Sequence, residues 1–334
     1  MSNISVLNLF FGIALFLFGM NLMSDHLKKI SGSGAEVLLY RLTDKPLKGL
    51  LIGTGITALI QSSSAVSAMV VSLTESRIMK LKQAIPVIIG TILGTSATGW
   101  IIAYSSITFH SANILKIFSA SVLSAVFAIT GIVLKLFIKK QQIKRLGEIF
   151  LGFAVLMLGI HTITEAVEPL KNNTVFVTSV SSFQNPLLLF IFGIALSALL
   201  QSASASVGIL QTLSLSGLIS LNTAVYLLLG IGIGASVPVI IASAGKSADA
   251  KRVSLIYLLC NTIGAVVIGA IYLILSYVIG FNNAQIILNS LQITTLNTVY
   301  RVLIVLILMP FTSVLEHISR GMIKEKKKLI VGKI

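Results

Sequence analysis

The chain has 334 residues, 55% of them hydrophobic and 10% charged, with a mean hydropathy of +0.99; this balance excludes an ordinary soluble domain and marks an integral membrane protein. Its 25 Lys and Arg against 10 Asp and Glu give a net charge of +15, but these bases lie between long apolar runs rather than on a polar face, which argues for topology and against a nucleic-acid partner. One cysteine, Cys260, rules out a disulfide framework, and His26, His110, His161 and His317 lack ligand spacing, so a metalloenzyme is not expected.

Apolar stretches of about twenty residues recur, the length that a ~30 Å hydrocarbon core requires of a helix, whereas a β-barrel would show alternating segments of about ten. The first, Ile4 to Met23, has no Lys or Arg before it and no small-residue cleavage pattern after it, so it reads as a membrane helix rather than a removed signal. Further spans are expected at Ala84 to Tyr104, Ile114 to Leu136, Ile149 to Thr164, Thr223 to Ala244, Val253 to Ile279 and Ile293 to Leu315, making seven. Two segments, Leu47 to Thr74 and Leu187 to Leu215, are split by polar knots, Gln61-Ser62-Ser63-Ser64 and Gln201-Ser202-Ala203-Ser204. Their arms of about ten to fifteen residues reach roughly 15 to 22 Å at 1.5 Å per residue, short of the full core. They read as re-entrant helical hairpins, whose broken backbone at membrane depth needs a central cavity or a protein shell.

Lys and Arg cluster before and after the first hairpin, in the Leu136 to Gly147 connection, around Lys246 to Arg252 and in the tail; only Lys116, Lys171 and Arg301 fall elsewhere. The positive-inside rule then places the protein in the plasma (inner) membrane with its N-terminus outside and its C-terminus cytoplasmic. The first hairpin enters from the cytoplasm and the second from outside.

A shift of 140 residues aligns Gly12 with Gly152, Gly19 with Gly159, Pro46 with Pro186, Gly53 with Gly193, Gln61 with Gln201, Ser62 with Ser202, Ser64 with Ser204, Gly90 with Gly230, Gly94 with Gly234 and Ser96 with Ser236, without a gap. The fold class is therefore an all-α integral membrane protein built from two repeats, each holding a re-entrant helical hairpin, plus an extra C-terminal helix. Repeat 1 covers residues 1–140, with its hairpin at about 46–78, and repeat 2 covers 141–280, with its hairpin at about 186–218. Residues 281–334 hold the last helix and a basic cytoplasmic tail. An odd number of crossings per unit makes the repeats inverted in topology, an architecture whose substrate site lies where the two repeats meet.

All ten acidic residues fall in loops or at span ends by this map, so a buried carboxylate relay is not visible. Nor is there a nucleophile elbow, a Walker loop or a dinucleotide fingerprint, and the chain is read as a non-enzyme without an organic cofactor. At a helix break the freed N–H groups and the positive dipole end suit an oxyanion, which points to Gln61, Ser62, Ser63, Ser64, Gln201, Ser202 and Ser204 as anion ligands. The amide oxygens of Gln61 and Gln201, with Thr95, Ser96 and Ser236 in the span after each hairpin, are candidate sodium ligands. The competing reading is that such residues only glue helices together. Arg301, the one charge well inside a span, either draws anions or snorkels to the interface.

The segments TALIQSSSAVSAMVVSL and SALLQSASASVGILQTLS, each followed by a Gly-x-x-x-Gly-x-Ser span, resemble the paired QSSS hairpins of the Na⁺/phosphate cotransporter family, the type II symporters and their bacterial relatives. The resemblance runs from about Gly12 to Gly269. It implies sodium-coupled symport of inorganic phosphate by alternating access, with Na⁺ as coupling ion and phosphate, sodium and the lipid bilayer as partners. The chain departs from the family pattern at Ile92 and Gly232, where Asn is expected, at Ala235 for Thr, at Tyr257 and Cys260 for His and Phe, and at Ala203 for the middle Ser. Transport of another small anion, an anion channel, a phosphate-binding membrane sensor and a homo-oligomeric state all stay open on the residues alone.

Overall fold

The computed structural model describes residues 3–41, 45–107, 120–167, 185–215, 217–278 and 286–325. Among these the chain is helical throughout, and the sole bridge pairs Ser220 with Ile287. Six stretches are long and apolar enough to cross a membrane: Leu7–Ile30, Leu81–Tyr104, Gln141–Val167, Leu221–Ser243, Ala248–Val278 and Ser290–Met322. This is a multi-pass membrane protein. The seventh expected span, Ile114 to Leu136, begins outside the described residues; its described part, α6 (Ala120–Phe137), has an apolar stretch, Ser124–Phe137, shorter than a full crossing.

The first helix, α1 (Asn3–Arg41), runs on through residues that the charge pattern assigns to a connection, because nothing between Ser24 and Arg41 stops a helix decisively. It packs against α7 (Gln141–Val167) through four glycines. A Cβ on Gly12 would lie 3.2 Å from the Gly159 carbonyl oxygen, and one on Gly19 would lie 2.6 Å from that of Gly152. Small residues let the two backbones approach where lipid supplies no hydrophobic drive.

The helices α2 (Pro46–Ile60) and α3 (Ser63–Glu75) are joined by a two-residue break. Pro46, at the start of α2, costs no hydrogen bond because its missing N–H would be free there anyway. Along the next helix, α4 (Leu81–Gly94), contacts run Gly49 to Pro86, Gly53 to Val87, Leu50 and Thr54 to Gly90, and Thr57 to Gly94, so α2 and α4 point the same way. Ser67 of α3 meets Thr91 at 3.3 Å, and α3 returns toward the start of α4 through the turn at Ser76 to Lys80. The short helix α5 (Ser96–Ile107) follows Thr95.

The same arrangement recurs in α8 (Pro186–Leu200), α9 (Ala203–Ser214), α10 (Leu221–Gly234) and α11 (Val237–Ser243). There Phe190 meets Gly230, Gly193 meets Leu227, and Ile194 and Ser197 meet Gly234. Each pair is the first-copy pair shifted by 140. The spans expected at Ala84 to Tyr104 and Thr223 to Ala244 are each interrupted, at Thr95 and at Ala235–Ser236. The long α12 (Ala248–Val278) packs on α3, α4 and α10. The last span is α13 (Ser290–Leu308), a 3-10 turn at Met309–Phe311 and the amphipathic α14 (Thr312–Met322).

Polar ties close one end of the bundle. The Glu75 carboxylate accepts from the Ser247 backbone N–H at 2.7 Å, and the Ser247 side chain and backbone N–H together hold its pKa below the usual range, while Lys246 Nζ donates to Ser72 Oγ at 3.2 Å. The carbonyl of Ile323, just past α14, accepts from Arg252 Nε (3.0 Å) and Nη2 (2.7 Å).

Candidate functional site

Both breaks have one backbone design. Gln61 (φ 58°, ψ 28°) and Gln201 (φ 52°, ψ 25°) sit in the left-handed region, unusual for non-glycine residues. The serine after each is extended: Ser62 at φ −147° and Ser202 at φ −152°. Each serine then caps the second arm, Ser62 Oγ accepting from Ala65 N–H and Ser202 Oγ from Ala205 N–H, both at 3.2 Å. Caps of this kind satisfy one of the orphan N–H groups and leave others facing out of the helix N-terminus. Anions favour such a terminus.

The surroundings tie each break to the opposite half of the chain. Ser63 Oγ, buried, accepts from Tyr257 OH of α12 at 3.2 Å. Ser204, also buried, meets Thr98 Oγ1 of α5 at 3.4 Å. Ser62 and Ser64 are half-buried, with hydroxyls 3.4 Å apart. Among the described residues no hydrogen bond joins the two breaks to each other. They also differ: Gln61 is buried and its Oε1 has no partner, whereas Gln201 is exposed.

Thr95 Oγ1 is already engaged, donating to the Thr91 carbonyl at 3.0 Å. Ser96 Oγ and Ser236 Oγ, both buried, have no partner. The sequence reasoning missed Thr57 and Ser197. Their hydroxyls are fully buried and likewise unpartnered, and their Cβ atoms lie 2.6 and 3.0 Å from the positions that Cβ atoms on Gly94 and Gly234 would take. Each repeat thus holds two lone hydroxyls beside the interruption after its hairpin. The signal was available, since 57 and 197 are themselves a pair at the 140 shift. Buried polar oxygens without partners are rare, and a hard cation is one group that satisfies them.

Arg301 does not snorkel. It is 1% exposed, its Nε donates to Asn297 Oδ1 (3.1 Å) and its Nη1 to the Ile92 carbonyl (3.2 Å), leaving Nη2 without a partner. Asn261 donates to the Tyr257 carbonyl at 2.9 Å, a bond within its own helix, while its Oδ1 is unpartnered. At the two positions where Asn is absent, other helices bring polar groups. Arg301 reaches the Ile92 carbonyl, and a Cβ on Gly232 would lie 3.1 Å from Tyr300 Oη and 3.3 Å from Asn261 Oδ1.

The described residues thus form a multi-pass helical protein with two polar helix breaks of one backbone design. A family model described as Na+/Pi-cotransporter matches residues 15–165 and, a second time, 155–293. The chain belongs to this family, whose transporters use Na⁺ as coupling ion. It is 24% identical over 327 residues to YjbB of Escherichia coli (strain K12), named as an inorganic phosphate export protein, covering 98% of this chain and 57% of that one. It is 28% identical over 259 residues to the uncharacterized YqeW of Bacillus subtilis (strain 168), covering 77% of this chain and 79% of the relative. It is 34% identical over 90 residues to the human sodium-dependent phosphate transport protein 2B, covering 26% of this chain and 13% of the human protein. The chain spans about half the length of the YjbB relatives. No solved structure matches it.

Proposed function

We propose that the chain is a secondary transporter that moves inorganic phosphate across the plasma membrane with sodium by alternating access. The observation that carries this reading is the crossed bonding of the two breaks, Ser63 to Tyr257 and Ser204 to Thr98. A ligand at either break thereby touches both halves, and rocking one half against the other changes its access.

Three observations support an inverted repeat of residues 1–140 and 141–280. The family matches the chain twice in tandem. The glycine contacts of α2 with α4 recur in α8 with α10. Between α1 and α7, Gly12 faces Gly159 while Gly19 faces Gly152, so position i of one copy meets j of the other and j meets i. That exchange is the mark of a two-fold axis. Because α1 and α7 run antiparallel at this contact, the axis lies across the helices, which turns one repeat upside down. The arms of 15 and 13 residues in one break and 15 and 12 in the other are too short to span the core, which favours re-entrant hairpins.

In this reading Gln61, Ser62, Ser63, Ser64, Gln201, Ser202 and Ser204 hold phosphate. Gln61, Gln201, Thr95, Ser96 and Ser236, joined by Thr57 and Ser197, hold sodium. The Lys and Arg distribution supports an N-terminus outside and a C-terminus, with residues 281–334, in the cytoplasm. The YjbB relative favours a second reading, net export of phosphate by the same site.

Proteoliposomes separate these. An inward Na⁺ gradient is expected to drive accumulation of radiolabelled phosphate above its equilibrium level, and K⁺ or choline is not. Phosphate movement indifferent to the cation would reject sodium coupling and leave the export reading.

A further inference from the structure

Among the described residues, the two breaks and the interruptions after them supply dipoles, hydroxyls and amides, but no fixed charge for a multiply charged oxyanion. The one buried charge in the vicinity, Arg301, comes from α13, outside both repeats. It has no ion pair with any carboxylate among the described residues. A buried cation without a counter-charge is strongly unfavourable unless something neutralises it. Two further donors beside it are also idle: Asn297 Nδ2 and Tyr300 OH, on residues 1% and 4% exposed. Three unsatisfied donors, one of them cationic, thus occur within five consecutive residues of one helix.

The cluster lies against the proposed site. The Ile92 carbonyl that holds Nη1 is four residues before Ser96, and Gly232, which Tyr300 Oη approaches, is four residues before Ser236. Tyr257, bonded to Ser63, accepts through its carbonyl from Asn261, whose Oδ1 lies with Tyr300 Oη beside Gly232. The hydrogen bonds to Asn297 and Ile92 fix the guanidinium plane and leave its Nη2 edge free.

We propose that Arg301, flanked by Asn297 Nδ2 and Tyr300 OH, is the charge-bearing element of the phosphate site. The substrate is the missing counter-charge of this arginine, and the last membrane helix is part of the binding machinery rather than a passive addition to the repeats. A guanidinium presents a planar fork that matches a tetrahedral oxyanion, and a lysine does not reproduce it. The site is therefore one-sided despite the duplicated hairpins. This deepens the phosphate reading above and rests on it.

The test uses the full chain, purified and reconstituted, as wild type, Arg301→Gln, Arg301→Lys and Asn297→Ala. The readouts are the KM for phosphate in sodium-driven uptake and the phosphate-induced thermal shift of the detergent-solubilised protein, with sulfate as a second oxyanion. Truncating one partner of a buried charge pair costs enough that Arg301→Gln is expected to raise the phosphate KM by about 100-fold or more. Arg301→Gln is also expected to abolish the thermal shift, and Arg301→Lys and Asn297→Ala to raise KM by about tenfold. A folded Arg301→Gln protein whose KM stays within about threefold of wild type would overturn the proposal. If Arg301→Gln does not fold, Arg301→Lys decides: a raised KM supports the forked contact, and an unchanged one rejects it. Wild type that neither takes up phosphate nor is stabilised by it rejects the phosphate reading, and this proposal with it. Wild-type uptake with an indifferent arginine rejects this proposal alone.

Discussion

Replacing Gln61 and Gln201 together by Ala is expected to lower kcat/KM for sodium-driven phosphate uptake by about 100-fold or more. A hydrogen bond to a charged group contributes about 1.5–3 kcal/mol, and two lost bonds at about 1.4 kcal/mol per tenfold give that factor or more. The fold should survive, because Ala at φ 58° or 52° carries much the same left-handed strain as Gln. The measurement is initial uptake rate against phosphate concentration, normalised to monodisperse protein. The single variants separate the halves. Gln61 is buried with an idle Oε1 and Gln201 is exposed, so Gln61→Ala is expected to cost more. Uptake by the double variant within threefold of wild type would leave the glutamines as helix glue.

Gly90→Val and Gly230→Val are expected to abolish recovery of folded protein. A Cβ at these positions would lie 2.2 Å from the Leu50 carbonyl oxygen and 2.1 Å from that of Phe190. The colliding atoms are backbone in both cases, so no side-chain rotation relieves the clash. Separating either helix pair forfeits its whole packed seam. Overpacking against yielding side chains costs about 1–3 kcal/mol, and these sites should exceed the upper end. Gly55, with nothing within 4 Å of its would-be Cβ, is the control; Gly55→Ala should be neutral or slightly stabilising, since Ala is the better helix former. Size-exclusion yield and thermal denaturation in detergent read both outcomes. Wild-type stability in Gly90→Val would mean that the α2–α4 seam is looser than its glycines indicate.

The apolar runs, the two polar knots and the glycines in register were legible because each depends on local chemistry that a linear pattern keeps. The length of α1 was not legible, because the charges from Asp25 to Lys29 suggest a loop while the backbone there has no Pro to end the helix. Thr57 and Ser197 were hidden by their setting. A hydroxyl in an apolar helix normally bonds back to a carbonyl one turn earlier, as Thr54 does to Leu50 at 2.9 Å, and only packing against Gly94 and Gly234 reveals that these two have no partner. Arg301 stood open between two readings for a related reason: its distance from the span end is visible in sequence, but the enclosing contacts with α4 and Asn297 are not. The difference between the buried Gln61 and the exposed Gln201 is likewise a property of three dimensions, since the two motifs read alike.

The central claim, one phosphate site at the two breaks reached alternately from either face, is tested most directly by thiol accessibility. Cys260 is the sole cysteine and is buried, so a Cys260→Ala background is silent. Ser62→Cys and Ser202→Cys are then placed singly in that background and exposed, in sealed vesicles of known orientation, to a membrane-impermeant thiol reagent from each side. The account predicts that each cysteine is labelled from both faces, and that labelling slows only when phosphate and Na⁺ are present together. Labelling of each cysteine from one face alone, unaffected by phosphate with Na⁺, would contradict it.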